Sequence, residues 1–369
     1  MNIPHKYQNK PRREHRRRTG YSLIELTITI AITASMTAVI LPALNSMRSN
    51  MRALTSEGNL STIGQTAAMY AQDNDNRIYS FTWRADILYP NLANDNYISS
   101  SSDQVAAARQ AQNILQRATG RIHGKGKILS PYARLPYRRY THLVLADYMG
   151  GNVNDPMWAD PADDNLLKWQ SDPIDYLNNG VPYANGIPDV SGYDDDGAWA
   201  QNSIRQLWPF SSSYQAVPHS WQPDYDIQYS PIDSTPHLFS GSNSVEVGER
   251  RYHQVQFPSA KVHLFEEFDR EQLGNPYFAY DHAEPAKIMF DGSINTLQSG
   301  YANSSVSPRD YFNDGNKIIW VQRYVPIDTF PVPLGGLGDQ TRLNMRYRWT
   351  LGGLSGFDYH TPFARPFGR

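Results

Sequence analysis

The chain has 369 residues and no cysteine, which excludes disulfides, thiolate metal sites and cysteine nucleophiles and leaves any exported body to be held by its core or by bound ions. Its formal charge of −2 is unevenly spread: residues 1–20 carry +6 and the other 349 carry −8, so the basic leader is a local device and the body has no electrostatic footprint for nucleic acid. Aromatic residues reach 12%, with 25 Gly and 25 Pro, a composition that suits a loop-rich, largely β or α+β body with rings filling irregular spaces.

The first predicted element is hydrophobic. From Tyr21 to Leu44, 24 residues contain one charged side chain, Glu25. As a helix this stretch spans roughly 36 Å, enough for a hydrocarbon core of about 30 Å. Lys and Arg cluster ahead of it, so the leader is expected to stay cytoplasmic and the body to be exported. An ordinary secretory signal would have a shorter apolar core and a small-x-small cleavage site. A plain signal anchor would explain neither the Gly20 junction nor Glu25, since a carboxylate in lipid is expensive without a partner.

The stretch Thr19-Gly20-Tyr21-Ser22-Leu23-Ile24-Glu25-Leu26 resembles the processing site of type IV prepilins and type II secretion pseudopilins. The resemblance implies cleavage by a prepilin peptidase between Gly20 and Tyr21, with N-methylation of Tyr21. Glu25 then becomes the fifth mature residue, the family's glutamate position, and Pro42 the twenty-second, where many pilins carry proline. Tyr21 stands where Phe is usual, and an aromatic ring is retained. In a packed filament, Glu25 of one subunit would neutralise the Tyr21 amine of its neighbour and so set register, because a buried charge needs such a partner.

The helix is predicted to continue to about Ala71, bent or loosened near Pro42, Gly58 and Gly64. Met47, Met51 and Leu54, then Leu60, Ile63, Ala67 and Tyr70, recur at three-to-four spacing and should form the stripe that packs on a head. The turn formers Gln72-Asp73-Asn74-Asp75-Asn76 end it. The run Asn59 to Asp75 also resembles the end of the stalk in some large pseudopilin-like proteins. The implied organisation is a leader at 1–20, a membrane and filament-core helix at 21–44, an amphipathic continuation at 45–72, and an exported head at 73–369 with a loop-rich insertion at about 150–245.

Within the head, residues 103–118 read as a helix capped by Ser102 or Asp103 and stopped at Gly120. Residues 121–140 mix Arg121, Lys125, Lys127, Arg134, Arg138 and Arg139 with tyrosines, as a polyanion-binding loop or, in an acidic body, a solvated one. Val255–Pro258 and Lys261–Glu266 read as strands, and Lys287–Leu297 as a hairpin on a two-residue Asp291-Gly292 turn. His282 ahead of that turn resembles a C-terminal domain of the same pseudopilin-like group, and otherwise reads as a histidine packed beside a sheet. The aromatic, Gly-rich segment after Ile318 suits the cover of a sheet edge.

Catalytic motifs are missing: there is no His-Glu-x-x-His, Gly-x-Ser-x-Gly or phosphate-binding Gly-Lys-Ser/Thr loop. Glu266, Glu267 and Asp269 read as a solvated acidic face. Asp194, Asp195 and Asp196 form either an exposed acidic turn or, with Asp73, Asp75, Asp160, Asp163 and Asp164 as further oxygen donors, a loop ordered by Ca2+, as in the major pseudopilins that the chain resembles.

The expectation is therefore a non-enzymatic subunit of a type IV pilus-like or type II secretion pseudopilus assembly. It would sit as a single-pass protein of a bacterial inner membrane with its head outside. Its partners would be the peptidase, an inner-membrane assembly platform and other pilin subunits, with no nucleic acid. The alternative is a pilin-anchored module that binds glycans or exported cargo through its 8 Trp and 24 Tyr. The fold expectation is α+β: a long N-terminal helix packed on a head with an antiparallel sheet.

Overall fold

The computed structural model describes residues 22–123, 127–128, 130, 140–175, 207, 209–224, 230–232, 235–240, 247–272, 276–307, 310–314, 318–320, 341–344 and 346–360. The fold is α+β. It divides into two compact units, residues 1–49 and residues 50–369. The first is the apolar part of a helix, α1 (Leu23–Asp73), whose 51 residues run through Pro42, Gly58 and Gly64 without interruption. The side chains of that unit are exposed from Leu23 to Arg48.

In the second unit α1 presents Leu60, Ile63, Ala67 and Tyr70, all buried, at the spacing that puts them on one face. The buried stripe begins only at Ser56. Met47, Met51 and Leu54 remain 59%, 66% and 67% exposed, so the periodicity that joined them to the stripe reflects apolar character and not packing. The helix ends where Asn76 closes onto the Ala71 carbonyl at 2.8 Å, with Asp75 and Asn76 both at positive φ, a backbone region that short Asx side chains tolerate.

A small hairpin follows, β1 (Tyr89–Asn91) with β2 (Asn96–Ile98), then α2 (Asp103–Thr119). Ser102 caps α2 by accepting from the Val105 amide, and Gly120 ends it in the left-handed region at φ 67. After a short α3 (Asp164–Ser171) comes β3 (Tyr214–Ala216), then the hairpin β4 (Ser230–Ile232) and β5 (Thr235–Ser240). The strands β6 (Val262–Glu266), β7 (Lys287–Met289) and β8 (Ile294–Asn295) complete an antiparallel sheet of order β3-β6-β7-β8. Two further antiparallel pairs join β9 (Val306–Ser307) to β10 (Asp310–Asp314) and β11 (Ile318–Trp320) to β12 (Thr341–Leu343).

Both faces of the sheet are covered. On one, Tyr214, Ala216, Leu264 and Ile288 pack with Leu60, Ile63, Ala67 and Tyr70 of α1. On the other, Phe265 and Met289 meet Tyr277, Phe278, Tyr347, Trp349 and Tyr359. Tyr347, Trp349 and Tyr359 of the aromatic C-terminal segment are thus core of the second face. A third cluster unites Ala107, Ala111 and Leu115 of α2 with Phe81, Leu143 and Phe210.

Three local expectations change. Val255–Pro258 is a turn segment, where Val255 closes onto Tyr252 and Ala260 onto Phe257. The Asp-Gly hairpin has a three-residue loop, Phe290–Gly292: Met289 donates to Ser293 at 2.8 Å and Gly292 takes φ 87, the geometry of a turn closed by a left-handed residue. Parts of residues 150–245 are built into the core, since β3 is a sheet strand and Trp158, Trp169 and Phe210 are fully buried.

Candidate functional site

The N-terminal helix carries the candidate site for membrane insertion and assembly. Gly20 and Tyr21 lie outside the described residues. Ser22 and Glu25 form a reciprocal cap: the Glu25 amide donates to Ser22 Oγ at 3.2 Å and the Ser22 amide donates to Glu25 Oε2 at 2.8 Å. This is a capping box, and Ser-x-x-Glu ahead of an apolar run is its signature in sequence. That signal, legible at the outset, gives Glu25 a structural role as the third-position partner of the cap.

Beyond the cap, the hydroxyls turn back onto the helix. Thr27 donates to Ile24 O at 2.9 Å, Thr29 to Glu25 O at 2.7 Å, Thr33 to Thr29 O at 2.9 Å, Ser35 to Ala31 O at 2.8 Å and Thr37 to Thr33 O at 2.8 Å. Each polar side chain from Leu23 to Leu44 is therefore bonded within its own helix, as a hydrocarbon environment demands. The helix is long and apolar enough to cross a membrane, and no other among the described residues is. Pro42 sits inside it at an exposed position.

Of the carboxylates considered for Ca2+, some lie among the described residues and some outside them. Asp194, Asp195 and Asp196 lie outside the described residues. Asp73 and Asp75 end α1 exposed, Asp164 is exposed in the first turn of α3, and Asp160 and Asp163 are buried. Among the described residues no group of three His, Asp or Glu is arranged to hold a metal ion. Of the basic loop, Lys125, Arg134, Arg138 and Arg139 lie outside the described residues, and Tyr140 is core. His282 is exposed in a turn, with its carbonyl accepting from Gln272 Nε2 at 3.0 Å, and does not pack beside the sheet.

The acidic run after β6 is not a solvated face. Glu266, Glu267 and Asp269 are all buried. Strand alternation sends neighbours to opposite faces, but here both faces are covered, so both neighbours are enclosed. The letters gave no signal of this: Lys261-Val-His-Leu264 alternates polar and apolar, the pattern of a strand covered on one face only. Burial, reinforced by the charge of Asp160, holds the Glu266 carboxyl well above the usual carboxylate range. Burial also raises Asp269, whose carboxylate accepts from the Glu284 amide at 2.7 Å.

Against protein-family models, curated proteins and solved structures, the chain matches none. Its chemistry is read from its own residues.

Lys287 lies buried on β7. Its Nζ donates to the carbonyls of Pro285 at 2.6 Å and Leu297 at 2.8 Å, below the rings of Tyr347 and Tyr359 at 5.6 and 5.7 Å. Burial lowers its amine to about 7. Lys261 is paired with Asp358 at 3.0 Å and bonded to Thr350, with Asp358 also accepting from the Val262 amide at 2.8 Å. His219 and His263 are buried and pushed down to about 3, so both stay neutral at ordinary pH. These four groups are enclosed, and the two lysines are held by buried acceptors. The aromatic rings serve the same interior. Trp158, Trp169, Trp221 and Trp349 are fully buried, and Trp83 stacks on Tyr89 at 4.3 Å and 4°.

Proposed function

We propose that the chain is an assembling subunit of a type IV pilus-like or type II secretion pseudopilus-like structure, processed by a prepilin peptidase between Gly20 and Tyr21. The observation that carries the reading is a lone carboxylate, Glu25, near the start of an apolar stretch, residues 21–44, otherwise free of charge, five residues beyond Gly20. The helix supports it further, because its hydroxyls are self-bonded and its second stretch is built into an α+β body. In this reading residues 21–44 serve first as a single-pass membrane anchor, with the leader cytoplasmic and the head exported. They then become filament core, where Glu25 neutralises the amine of a neighbouring subunit. The function is mechanical, and its partners are the peptidase, an inner-membrane platform and other subunits.

Mass spectrometry of the protein from cells with and without the peptidase tests this. A chain that begins at methylated Tyr21 only when the peptidase is present is the expected result. A chain that begins at Met1 in both, or that lacks the apolar segment, overturns it. Among the described residues, the glycan-binding reading would draw on the Trp83–Tyr89 stack and on exposed Tyr97 and Tyr301, while Trp158, Trp169, Trp221 and Trp349 fill the core.

A further inference from the structure

Outside α1, the exposed apolar side chains among the described residues gather most densely at the hairpin of β1 and β2. Ile87 and Leu88, just ahead of β1, are 48% and 63% exposed, and Tyr97 on β2 is 69% exposed. Pro90 stands directly opposite Tyr97 in the ladder, so the two share a face, and both are exposed. Tyr89 and Ile98 point the other way and are half-buried. That inner face is pinned. Tyr89 stacks on Trp83, its hydroxyl accepts from the Arg84 amide at 2.9 Å, and the Pro90 carbonyl accepts from Asn113 of α2 at 3.3 Å. The outer face is therefore presented on a fixed frame, which lowers the entropy cost of binding to it.

The turn that joins the strands ends in Asn94 and Asp95, both exposed. Its backbone closes on itself: the Asn91 side chain accepts from the Ala93 amide at 3.1 Å and the Asn91 carbonyl from the Asn94 amide at 3.3 Å. The side chains of Asn94 and Asp95 make no hydrogen bond to a described residue, which leaves their polar groups open to a ligand. Charge decides between ligands. Arg84 is the one basic residue from Thr82 to Ile98, and its guanidinium is taken by Asp103 and by Glu249, each at 2.8 Å. Asp86 and Asp95 are exposed in the same stretch. A phosphate, a sulfated polymer or an anionic lipid surface would meet uncompensated negative charge here. A protein surface flat enough to cover Tyr97 would have to pair both polar side chains as it buried them. An exposed ring beside an amide and a carboxylate suits a molecule with an apolar C–H face and a rim of neutral hydroxyls.

We propose that the outer face of the β1–β2 hairpin is a binding site for neutral glycans, with Tyr97 as the ring on which a sugar stacks and Asn94 and Asp95 as the groups that take its hydroxyls. The Asp95 carboxylate accepts from hydroxyls, and the Asn94 amide both donates and accepts. Pro90 and Leu88 extend the apolar floor toward a neighbouring sugar of the same chain. The site does not depend on the assembly reading, since an assembled subunit and a free one would both carry it.

The test is isothermal titration of the full-length chain in polyoxyethylene detergent micelles, since a sugar-headed detergent would compete. The probes are neutral hexasaccharides of glucose, mannose or xylose, with a heparin hexasaccharide as the anionic comparator. A neutral probe should bind and the heparin probe should not. Tyr97→Ala should weaken that binding about tenfold, the loss of one stacked ring, while Tyr97→Phe should keep it within about twofold. Tyr301→Ala is the control, an aromatic 67% exposed outside the hairpin, and should bind like the wild type. Both positions are exposed, so the variants should fold, and their melting temperatures check it. Failure of every neutral probe to bind, tighter binding of heparin, or equal losses at Tyr97 and Tyr301 overturns the site. So does a Tyr97→Ala chain that binds glycan normally but no longer assembles, which would make the hairpin a contact between protein subunits.

Discussion

Residues 23–44 and residues 56–71 belong to one unbroken helix and both bond hydroxyls back onto it, as Thr62 and Thr66 do in the second, but only the second also sends polar side chains to distant residues. In the first stretch each hydroxyl bonds a carbonyl three or four residues back, and Leu23 is 79% exposed. In the second, Ser56 and Asn59 reach residues 155–210 positions away in sequence, and Leu60 is fully buried. A helix that keeps its hydrogen bonds to itself needs no partner of any particular polarity and can lie in lipid. A helix that places its polar groups on distant strands is committed to one site. Secondary structure alone does not separate the two; the destination of the side-chain hydrogen bonds does.

The largest expected effect falls on the first stretch. Glu25→Ala is expected to leave processing and membrane insertion intact and to abolish incorporation into filaments, scored by immunoblot of sheared surface fractions. Glu25→Gln sharpens this, because Gln at the third helical position still completes a capping box with Ser22 but carries no charge. If charge pairing governs assembly, both variants fail. If the cap is the whole role of Glu25, the Gln variant assembles like the wild type and the charge-pairing argument falls.

The second stretch should answer to stability instead. Leu60→Ala removes a side chain of 0% exposure from the cluster with Leu264 and Ile288, which costs about 2–5 kcal/mol in denaturant unfolding of the body. Met51→Ala, at a position 66% exposed, should stay within about 0.5 kcal/mol. Equal losses at the two positions would erase the distinction between the stretches.

How much of this was legible in the sequence depends on the range of the forces involved. The helix, its end at Asp73, the Ser102 cap and the Gly120 stop were all readable because capping and termination are local. So were the pairing of β7 with β8 and the α+β class. The capping box at Ser22 was present in the letters but masked by the stronger question of where a charge in lipid finds its partner. The fate of Glu266 was not readable from alternation, because burial on both faces depends on α1 and on Tyr347, 210 residues before and 81 after it. The same non-local coverage put Tyr347, Trp349 and Tyr359 in the core when the segment read only as aromatic and irregular.

The packed side of the comparison rests on a dry interior, and Lys287 probes it. Its folded amine lies near 7 because of burial, below the unfolded 10.5. For a base lowered in this way, the unfolded chain takes up its proton first as pH falls. Stability therefore drops on going down from about 10.5 to about 7 and is flat in this respect below that. Unfolding free energy of the wild type should rise by roughly 1.4 kcal/mol per pH unit between those limits from this group. Lys287→Met, which removes the titration at the cost of two carbonyl partners, should lose that rise. A slope unchanged in Lys287→Met would mean that water reaches the amine.

The smallest effect concerns how closely the second stretch approaches the sheet. A Cβ on Gly64 would stand 2.2 Å from the Cδ1 of Ile288, itself buried at 2% exposure. Alanine there gains helix propensity of about 1 kcal/mol, while forcing a methyl into a filled contact costs about 1–3 kcal/mol, so the net change should be a loss of up to about 2 kcal/mol. Gly58 supplies the control, for nothing lies within 4 Å of its added Cβ. Gly58→Ala should stabilise by about 0.5–1 kcal/mol through propensity alone. The two substitutions are chemically identical and less than two turns apart on α1, so opposite signs in chemical denaturation would isolate the contact with Ile288. If Gly64→Ala stabilised as much as Gly58→Ala, the helix would not approach the sheet closely enough for a methyl to matter, and the burial that distinguishes this stretch from the first would be looser than its hydrogen bonds imply.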